Sequence, residues 1–556
     1  VTVPSISSDR RRIAIVTGGG AGIGAAVAEE LGRQGTFVIT MDPLVTVDGS
    51  EQLPSSEETT AERIVNAGGS ARASAVSVTD AAAVRRLFDE VVEEFGGVDA
   101  VVNVAGISRP TSFARGSEQD WRSVLSVHLD GYRNVLDAAL TVMAAAGHGH
   151  ILGVTSGSGW RAVDTGAYGC AKRAVAALTW QLGRLAPPGV VVNAVSPIAM
   201  TRMVTNALKG RTPPSARGER ASSTGGLSLG SMPAPEELGP LIAHLVGDQF
   251  SACRGQVLFT AGSEMAVIDQ PRLIEVLGVD GTDSFVRALD RFVPGALVPG
   301  ELHQQSGGGS NARFGPKPGD GGATGPPLPE VRTCIVVADT SDVADATIAS
   351  LESRGVLCHR VSADESSGFD GATEVLASGI GFDAPADAVV VALAGGSSAT
   401  GAGTAWEGVL AEHTDIVECI HADAAWVRAV ADQAARAERP VRLVTLTDAT
   451  TAGGRSRAQA SAQLARSARG ASDDRVAAFA ISIEAEAPQT VGELAAHLIC
   501  SPDSPSLSGA ELVVEAGSVG LRAHPRVRTS LVFDGATVPD WLDGALRRVI
   551  DAGGLG

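Results

Sequence analysis

The sequence predicts an α/β protein in which one parallel, doubly wound sheet architecture occurs twice in tandem. Three observations carry this expectation. From Ile13 onward, short β-branched runs alternate with longer Ala/Leu-rich stretches; a glycine-rich turn separates the first run from the first helix-like stretch; and the pattern recurs in weakened form beyond a Gly/Pro/Ser-rich segment. Strands separated by helices need crossover connections, and crossovers produce parallel sheets.

In order, the strand-like runs are Ile13–Thr17, Phe37–Met41, Ala73–Val78, Ala100–Val104, His150–Thr155, Val190–Ser196 and Gln256–Thr260. Helix-like stretches between them include Ala25–Gln34, Ala82–Phe95 and Trp121–Met143. Between Gln304 and Pro329 neither period is present, and the composition is that of a flexible connector. The expected units are therefore a first domain at 1–300, a linker at 301–330 and a second domain at 331–556.

The recurrence is residue-level. Ile13 through Gly35 matches Thr333 through Gly355, Trp121 and His128 share a seven-residue step with Trp406 and His413, and Gly255 to Pro271 has the same 16-residue step as Gly509 to Pro525. The offset falls from 320 to 254, so the second copy has lost about 66 residues of loops.

The 556 residues carry a net charge of −19, which disfavours nucleic acid and anionic membranes as partners. Cys170, Cys253, Cys334, Cys358, Cys419 and Cys500 are dispersed without a C-x-x-C pair. That argues against a disulfide framework or a metal site and fits a reducing cytoplasm. Val1 to Arg12 lacks the apolar core of a signal peptide, and no run has the ~18 apolar residues of a membrane span. Lysine occurs only at 172, 209 and 317, and tyrosine only at 132 and 168.

Thr17 to Gly24 reads TGGGAGIG after a strand and before a helix, as in Rossmann-like units. Glycines there allow a tight turn and let backbone N–H groups meet a pyrophosphate at the positive helix end. Asp42 ends the second strand, where a carboxylate accepts hydrogen bonds from ribose hydroxyls and repels a 2′-phosphate, so NAD is favoured over NADP.

With these motifs the chain resembles the short-chain dehydrogenase/reductase family. Thr-Gly-x-x-x-Gly-x-Gly at 17–24, Asn103-Val104-Ala105-Gly106, Ser156, Tyr168-x-x-x-Lys172 and Asn193-Ala194-Val195-Ser196-Pro197 follow the family's order over about 270 residues. The resemblance implies a cofactor site at Gly18, Gly22, Ile23, Gly24, Asp42, Val78, Asn103, Ala105, Gly106, Tyr168, Lys172, Pro197 and Thr201, and catalysis by Ser156, Tyr168, Lys172 and His128. Tyr168 and Lys172 lie four apart on one helical face, and a nearby ammonium is expected to lower the phenol pKa towards working pH. Tyr168 then exchanges a proton with a substrate oxygen while Ser156 holds that oxygen.

Two departures stand out. His128 occupies the place where most family members have an asparagine that anchors a relay water. A V-H-L-x-G segment there is similar to the (3R)-hydroxyacyl-CoA dehydrogenase units of peroxisomal multifunctional enzymes, which implies a hydroxyacyl-CoA or hydroxysteroid-like substrate. The Ser156–Tyr168 step is 12 where 13 is usual, leaving Ser158 as the other serine to consider. Thr201 to Met232, with Arg202, Arg211, Arg217 and Arg220, is expected to be a substrate lid or a solvated loop.

In the second copy Ala338, Asp342 and Ala344 replace Gly18, Gly22 and Gly24; Ser362 replaces Asp42; Ala392 replaces Asn103; and Asp448 falls near the serine position. No tyrosine or lysine follows Lys317, so this chemistry is impossible there, and His413 is expected to be structural. The second copy then reads as a covalently attached pseudo-subunit, with a homodimer rebuilding a tetramer-like core. The competing functional class is a non-catalytic NAD-binding sensor or scaffold.

Overall fold

The computed structural model describes residues 10–54, 58–161, 164–208, 232–278, 330–362, 368–378, 382, 385–397, 403–502, 504–533 and 537–552. The first half forms β1 Ile13–Thr17, β2 Phe37–Met41, β3 Ser70–Ser74, β4 Ala100–Asn103, β5 Gly149–Val154, β6 Val190–Pro197, β7 Val257–Ala261, β8 Glu264–Asp269 and β9 Leu273–Gly278. The second forms β10 Thr333–Ala338, β11 Leu357–Val361, β12 Ala388–Ala392, β13 Val441–Asp448, β14 Val476–Ile483, β15 Glu511–Glu515, β16 Ser518–Arg522 and β17 Arg526–Val532. Helices of the first half are α1 Gly22–Arg33, α2 Thr60–Asn66, α3 Ala81–Phe95, α4 Glu118–Leu125, α5 Gly131–Ala146, α6 Gly166–Leu185, α7 Arg202–Leu208 and α8 Gly239–Leu245. Those of the second are α9 Asp342–Glu352, α10 Gly368–Ala377, α11 Ala405–Ala411, α12 Ile416–Ala437, α13 Ala452–Ala471, α14 Pro488–Cys500 and α15 Leu542–Asp551.

The expected α/β architecture is present twice. β3-β2-β1-β4-β5-β6-β7 run parallel with β8 antiparallel beside β7, and β11-β10-β12-β13-β14-β15 repeat the pattern with β16 antiparallel. Core strands such as β1 and β14 are buried along their whole length, as continuous β-branched runs between two helical layers demand.

One strand lies elsewhere than expected. The third strand is Ser70–Ser74, not Ala73–Val78: β2 fixes its register from Phe37↔Ser70 to Met41↔Ser74. The apolar alternation at Val76 and Val78 reflects packing after the strand ends, with Val78 seated against Gly131, where a Cβ would approach its Cγ2 to 2.5 Å. The long helix expected over Trp121–Met143 is interrupted by a π-helical turn at Ser126–Asp130.

The sheets cross the expected domain boundary. β9 leaves the first half to pair antiparallel with β16, and β17 leaves the second half to pair antiparallel with β8. Gly278↔Ser518 and Val532↔Glu264 are equivalent pairs under the 254-residue offset, so the exchange is reciprocal. α15 follows β17 across, and Leu542, Leu546 and Ile550 join the core around Val16, Leu31 and Leu241. Helices α4 and α6 also pack on α12 and α13, so that one apolar cluster runs from Ile13 to Ala478.

Among the described residues no helix is long and apolar enough to cross a membrane. All six cysteines are free; Cys170, Cys253 and Cys334 are buried, and Cys358, Cys419 and Cys500 are half-buried. Arg211, Arg217, Arg220 and nearly all of the linker lie outside the described residues.

Candidate active site

The site forms at the C-terminal ends of the parallel strands, where the strand order reverses between β1 and β4. Gly18 and Gly22 adopt φ of +63° and +56°, a region costly for side-chain-bearing residues. A Cβ on Gly24 would sit 2.1 Å from the Gly18 carbonyl oxygen, so the turn closes only with glycine. α1 begins after Ala21 with no side-chain cap, which leaves its first-turn N–H groups open to an anion. In the second copy Ser341 Oγ accepts from the Ala344 N–H at 3.2 Å and occupies that end of α9. Ile23 packs its side chain on the core beneath the turn.

Asp42 is held on the glycine turn by two amides, Gly20 N–H to Oδ2 at 2.9 Å and Leu44 N–H to Oδ1 at 2.7 Å. Thr201 comes to the other side, its methyl 3.6 Å from where a Cβ on Gly22 would stand. Pro197 ends β6, and Ala105 N–H donates to Thr17 Oγ1 at 3.1 Å. Asn103 is a tie within the fold: its Oδ1 accepts from Thr17 Oγ1 at 2.8 Å and its Nδ2 donates to the Tyr132 carbonyl at 3.4 Å.

The candidate catalytic side chains converge from three elements. Tyr168 sits in the first turn of α6, near enough to Ser156 for that side chain to favour its phenolate. Ser156 Oγ also accepts from the Ser158 N–H at 3.2 Å, and this tight turn is how the 12-residue step brings Ser156 to Tyr168. Lys172 Nζ lies 5.8 Å from the Tyr168 ring centroid and donates to the Val154 carbonyl at 2.6 Å.

The expected lowering of the tyrosine pKa is not found. Burial pushes the Tyr168 phenol above its usual value, opposed by the Ser156 hydrogen bond and the Arg161 charge. Burial also pulls the Lys172 ammonium down to about 7, so the two groups move apart, each towards its neutral form.

His128 stands edge-on to Tyr168, with ring centroids 5.1 Å apart. Its Nε2 lies 2.8 Å from the Ile107 carbonyl and 3.2 Å from the Ile107 N–H, and which contact it keeps depends on the tautomer. A Cβ on Gly106 would stand 2.4 Å from His128 Cε1, so the ring needs glycine there. Burial, then the Lys172 charge, hold the imidazole near 3 and therefore neutral at working pH. Its Nδ1 is buried without a hydrogen-bond partner.

The sequence reading missed Asp164. Its carboxylate accepts from Phe113 N–H at 2.7 Å and Gly166 N–H at 3.1 Å, fastening the loop before β4's partner helix to the start of α6. Burial raises its carboxyl to about 6. An aspartate two residues before a turn glycine was the available signal.

In the second copy strand register places Val391, not Ala392, opposite Asn103, because Val337↔Val391 repeats Thr17↔Asn103. Asp448 falls at the Ser156 position by the same reasoning through β5 and β13. Next to Ala458, the counterpart of Lys172, Arg457 makes a bidentate pair with Asp423 at 2.7 and 2.8 Å. It also donates to the Leu393 and Gly395 carbonyls at 3.0 and 3.1 Å. His413 is tied to Val409 O at 2.6 Å and Ser456 Oγ at 2.8 Å.

This combination of fold and site is that of a nucleotide-dependent oxidoreductase scaffold, and the chain belongs to the short chain dehydrogenase family, whose model matches residues 12–212. It is 33% identical over 261 residues to the short-chain reductase protein NovJ of Streptomyces niveus, covering 46% of this chain and 95% of that protein. It is 34% identical over 263 residues to a cis-4-hydroxycyclohexanecarboxylate dehydrogenase of Sinomonas cyclohexanicum, covering 46% and 97%. Against the hydroxyacyl-CoA dehydrogenase ChsB1 of Mycobacterium tuberculosis it is 29% identical over 284 residues, covering 49% and 84%.

Proposed function

We propose that this protein is an NAD(H)-dependent oxidoreductase that interconverts a secondary alcohol and a ketone through Ser156, Tyr168 and Lys172. The observation that carries the reading is the convergence of Tyr168, Ser156 and the buried Lys172, whose Nζ lies 5.8 Å from the Tyr168 ring centroid. Bound NAD supplies the hydride acceptor, and NADH the donor. The uncapped start of α1, the glycines and Thr201 would hold its pyrophosphate, and Asp42 would receive its adenosine ribose.

Tyr168 carries the proton that leaves or joins the substrate oxygen, and Ser156 orients that oxygen by a second hydrogen bond. Lys172 stabilises the phenolate in its ammonium form, which burial makes harder to keep above about pH 7. His128, neutral, holds the Ile107 backbone and closes the site behind the Tyr168 ring.

The V-H-L-x-G segment and the similarity to ChsB1 support a hydroxyacyl-CoA thioester or hydroxysteroid-like alcohol as substrate. The second domain is a pseudo-subunit: the Arg457–Asp423 pair fills the space beside its lost lysine position, and Ser341 caps its nucleotide-binding helix. Unpaired cysteines fit a cytoplasmic setting. Two chains associate into a homodimer resembling a tetramer of four such units.

Screening secondary alcohols, hydroxysteroids and 3-hydroxyacyl-CoAs with NAD, while following NADH absorbance, tests the reading. Wild type should turn over at least one class, and Tyr168→Phe should bind NADH yet lose at least about 10²-fold in kcat. Equal turnover by Tyr168→Phe would overturn it.

A further inference from the structure

The segment that precedes Tyr168 is held from outside its own domain. Gln463, on α13 of the second half, reaches across the helix interface and donates through Nε2 to the Arg161 carbonyl at 3.0 Å and to Thr165 Oγ1 at 3.0 Å. Gln463 is fully buried. Thr165 is the residue before α6, and it makes no cap of its own to that helix. Three residues later stands Tyr168, and Ser156 lies at the other end of the same loop, near enough to favour the Tyr168 phenolate.

The second half also holds the neighbouring wall. Arg428, on α12, donates to the Gly116 carbonyl and lies over the Phe369 ring at 4.6 Å from its centroid. Asp164, between the two Gln463 contacts in sequence, ties Phe113 to the same loop.

We propose that Gln463 is a positioning residue of the active site, through which the catalytically silent half fixes the loop that sets Tyr168 against Ser156. The proposal rests on the Ser156/Tyr168/Lys172 reading above. One buried amide fastens the loop at both its ends. The site, though built of first-half side chains, is then complete only when the second half is docked. An apolar residue at 463 would leave the Arg161 carbonyl and Thr165 hydroxyl without this partner, and the loop would be free to shift. Displacements of about 1 Å at reacting groups cost up to about 10²-fold in rate.

The test compares Gln463→Leu, Thr165→Val and the double variant with Gln181→Leu in the full-length protein. Gln181 belongs to the same interface, donating to Ser456 Oγ at 3.0 Å and the Ala452 carbonyl at 3.3 Å, but lies beyond the loop. Gln463→Leu is expected to lower kcat about 10-fold or more while the NADH dissociation constant stays within about twofold. Thr165→Val should lower kcat in the same direction, and the double variant should be no worse than Gln463→Leu, because Gln463→Leu already removes the contact to Thr165. Gln181→Leu should leave kcat within about twofold and affect only stability.

Wild-type kcat in Gln463→Leu, with Tyr168→Phe inactive, would overturn this proposal and leave the catalytic reading standing. Full activity in Tyr168→Phe would instead remove the catalytic reading itself. If Gln463→Leu does not fold, Thr165→Val decides: unchanged kcat there refutes the positioning role.

Discussion

At the residue scale, burial dominates the electrostatics of the site. Tyr168 is pushed above the ordinary phenol range and Lys172 is pulled to about 7. In the proposed alcohol oxidation Tyr168 accepts a proton, so the raised value implies that kcat for oxidation rises as pH increases above neutrality; a flat profile from pH 7 to 10 would contradict this. Lys172 is depressed relative to its unfolded value, so between pH 7 and 10 the unfolded chain binds the extra proton and stability increases with pH. Relative to Lys172→Met, wild type should gain stability over that window with a slope approaching about 1.4 kcal/mol per pH unit in denaturant titrations. His128, held near 3, contributes no kinetic pKa between 5 and 8, and His128→Asn should leave the profile there unchanged. Asp42→Ala should raise the NADPH/NADH ratio of kcat/KM by about 10-fold or more, since it removes a fixed carboxylate from the ribose site.

The element scale is where the two halves become one structure. β17 completes the first sheet and β9 the second, and α6 lies against α13. Between the halves Glu511, fully buried, accepts from Gln459 at 2.7 Å, Arg522 at 2.8 Å and Arg173 at 3.4 Å. His524 supports Arg173 at 2.9 Å and donates to the Gly509 carbonyl, and burial keeps it neutral. Glu511→Ala would leave two buried guanidiniums short of their counter-charge, and a loss of about 3–5 kcal/mol in urea unfolding is expected. This network is not visible in the sequence because its members are separated by up to 351 positions. The elements themselves were legible: β1 and β2 fall where their β-branched runs predict, since strands buried on both faces need continuous apolar sequence. β3 was misplaced because Val76 and Val78 carry the alternation of a strand while serving as core contacts after it.

For the whole molecule, the exchanged strands mean that neither half is expected to stand alone. A fragment of residues 1–300 keeps β8 without its β17 neighbour and exposes the α6 face that α13 covers. It should be poorly soluble or inactive, and co-expression with residues 331–556 should restore activity. A soluble, fully active 1–300 fragment would defeat the pseudo-subunit reading. Sedimentation equilibrium should give the mass of two 56.4 kDa chains, with a single-chain mass contradicting the homodimer.

What the sequence by itself determined was local and periodic: the two α/β copies, the glycine turn, and a single place where tyrosine and lysine stand four apart on a helix. These depend on neighbours within a few residues, so composition and spacing are enough to reveal them. The tertiary structure decided what depends on distant partners. It turned Asn103 inward as a structural tie, reversed the direction of the tyrosine's pKa shift through burial, and brought Gln463 to the loop before Tyr168 from 302 positions away. Desolvation and cross-sheet contacts arise only after the chain has packed, and no one-dimensional pattern encodes them.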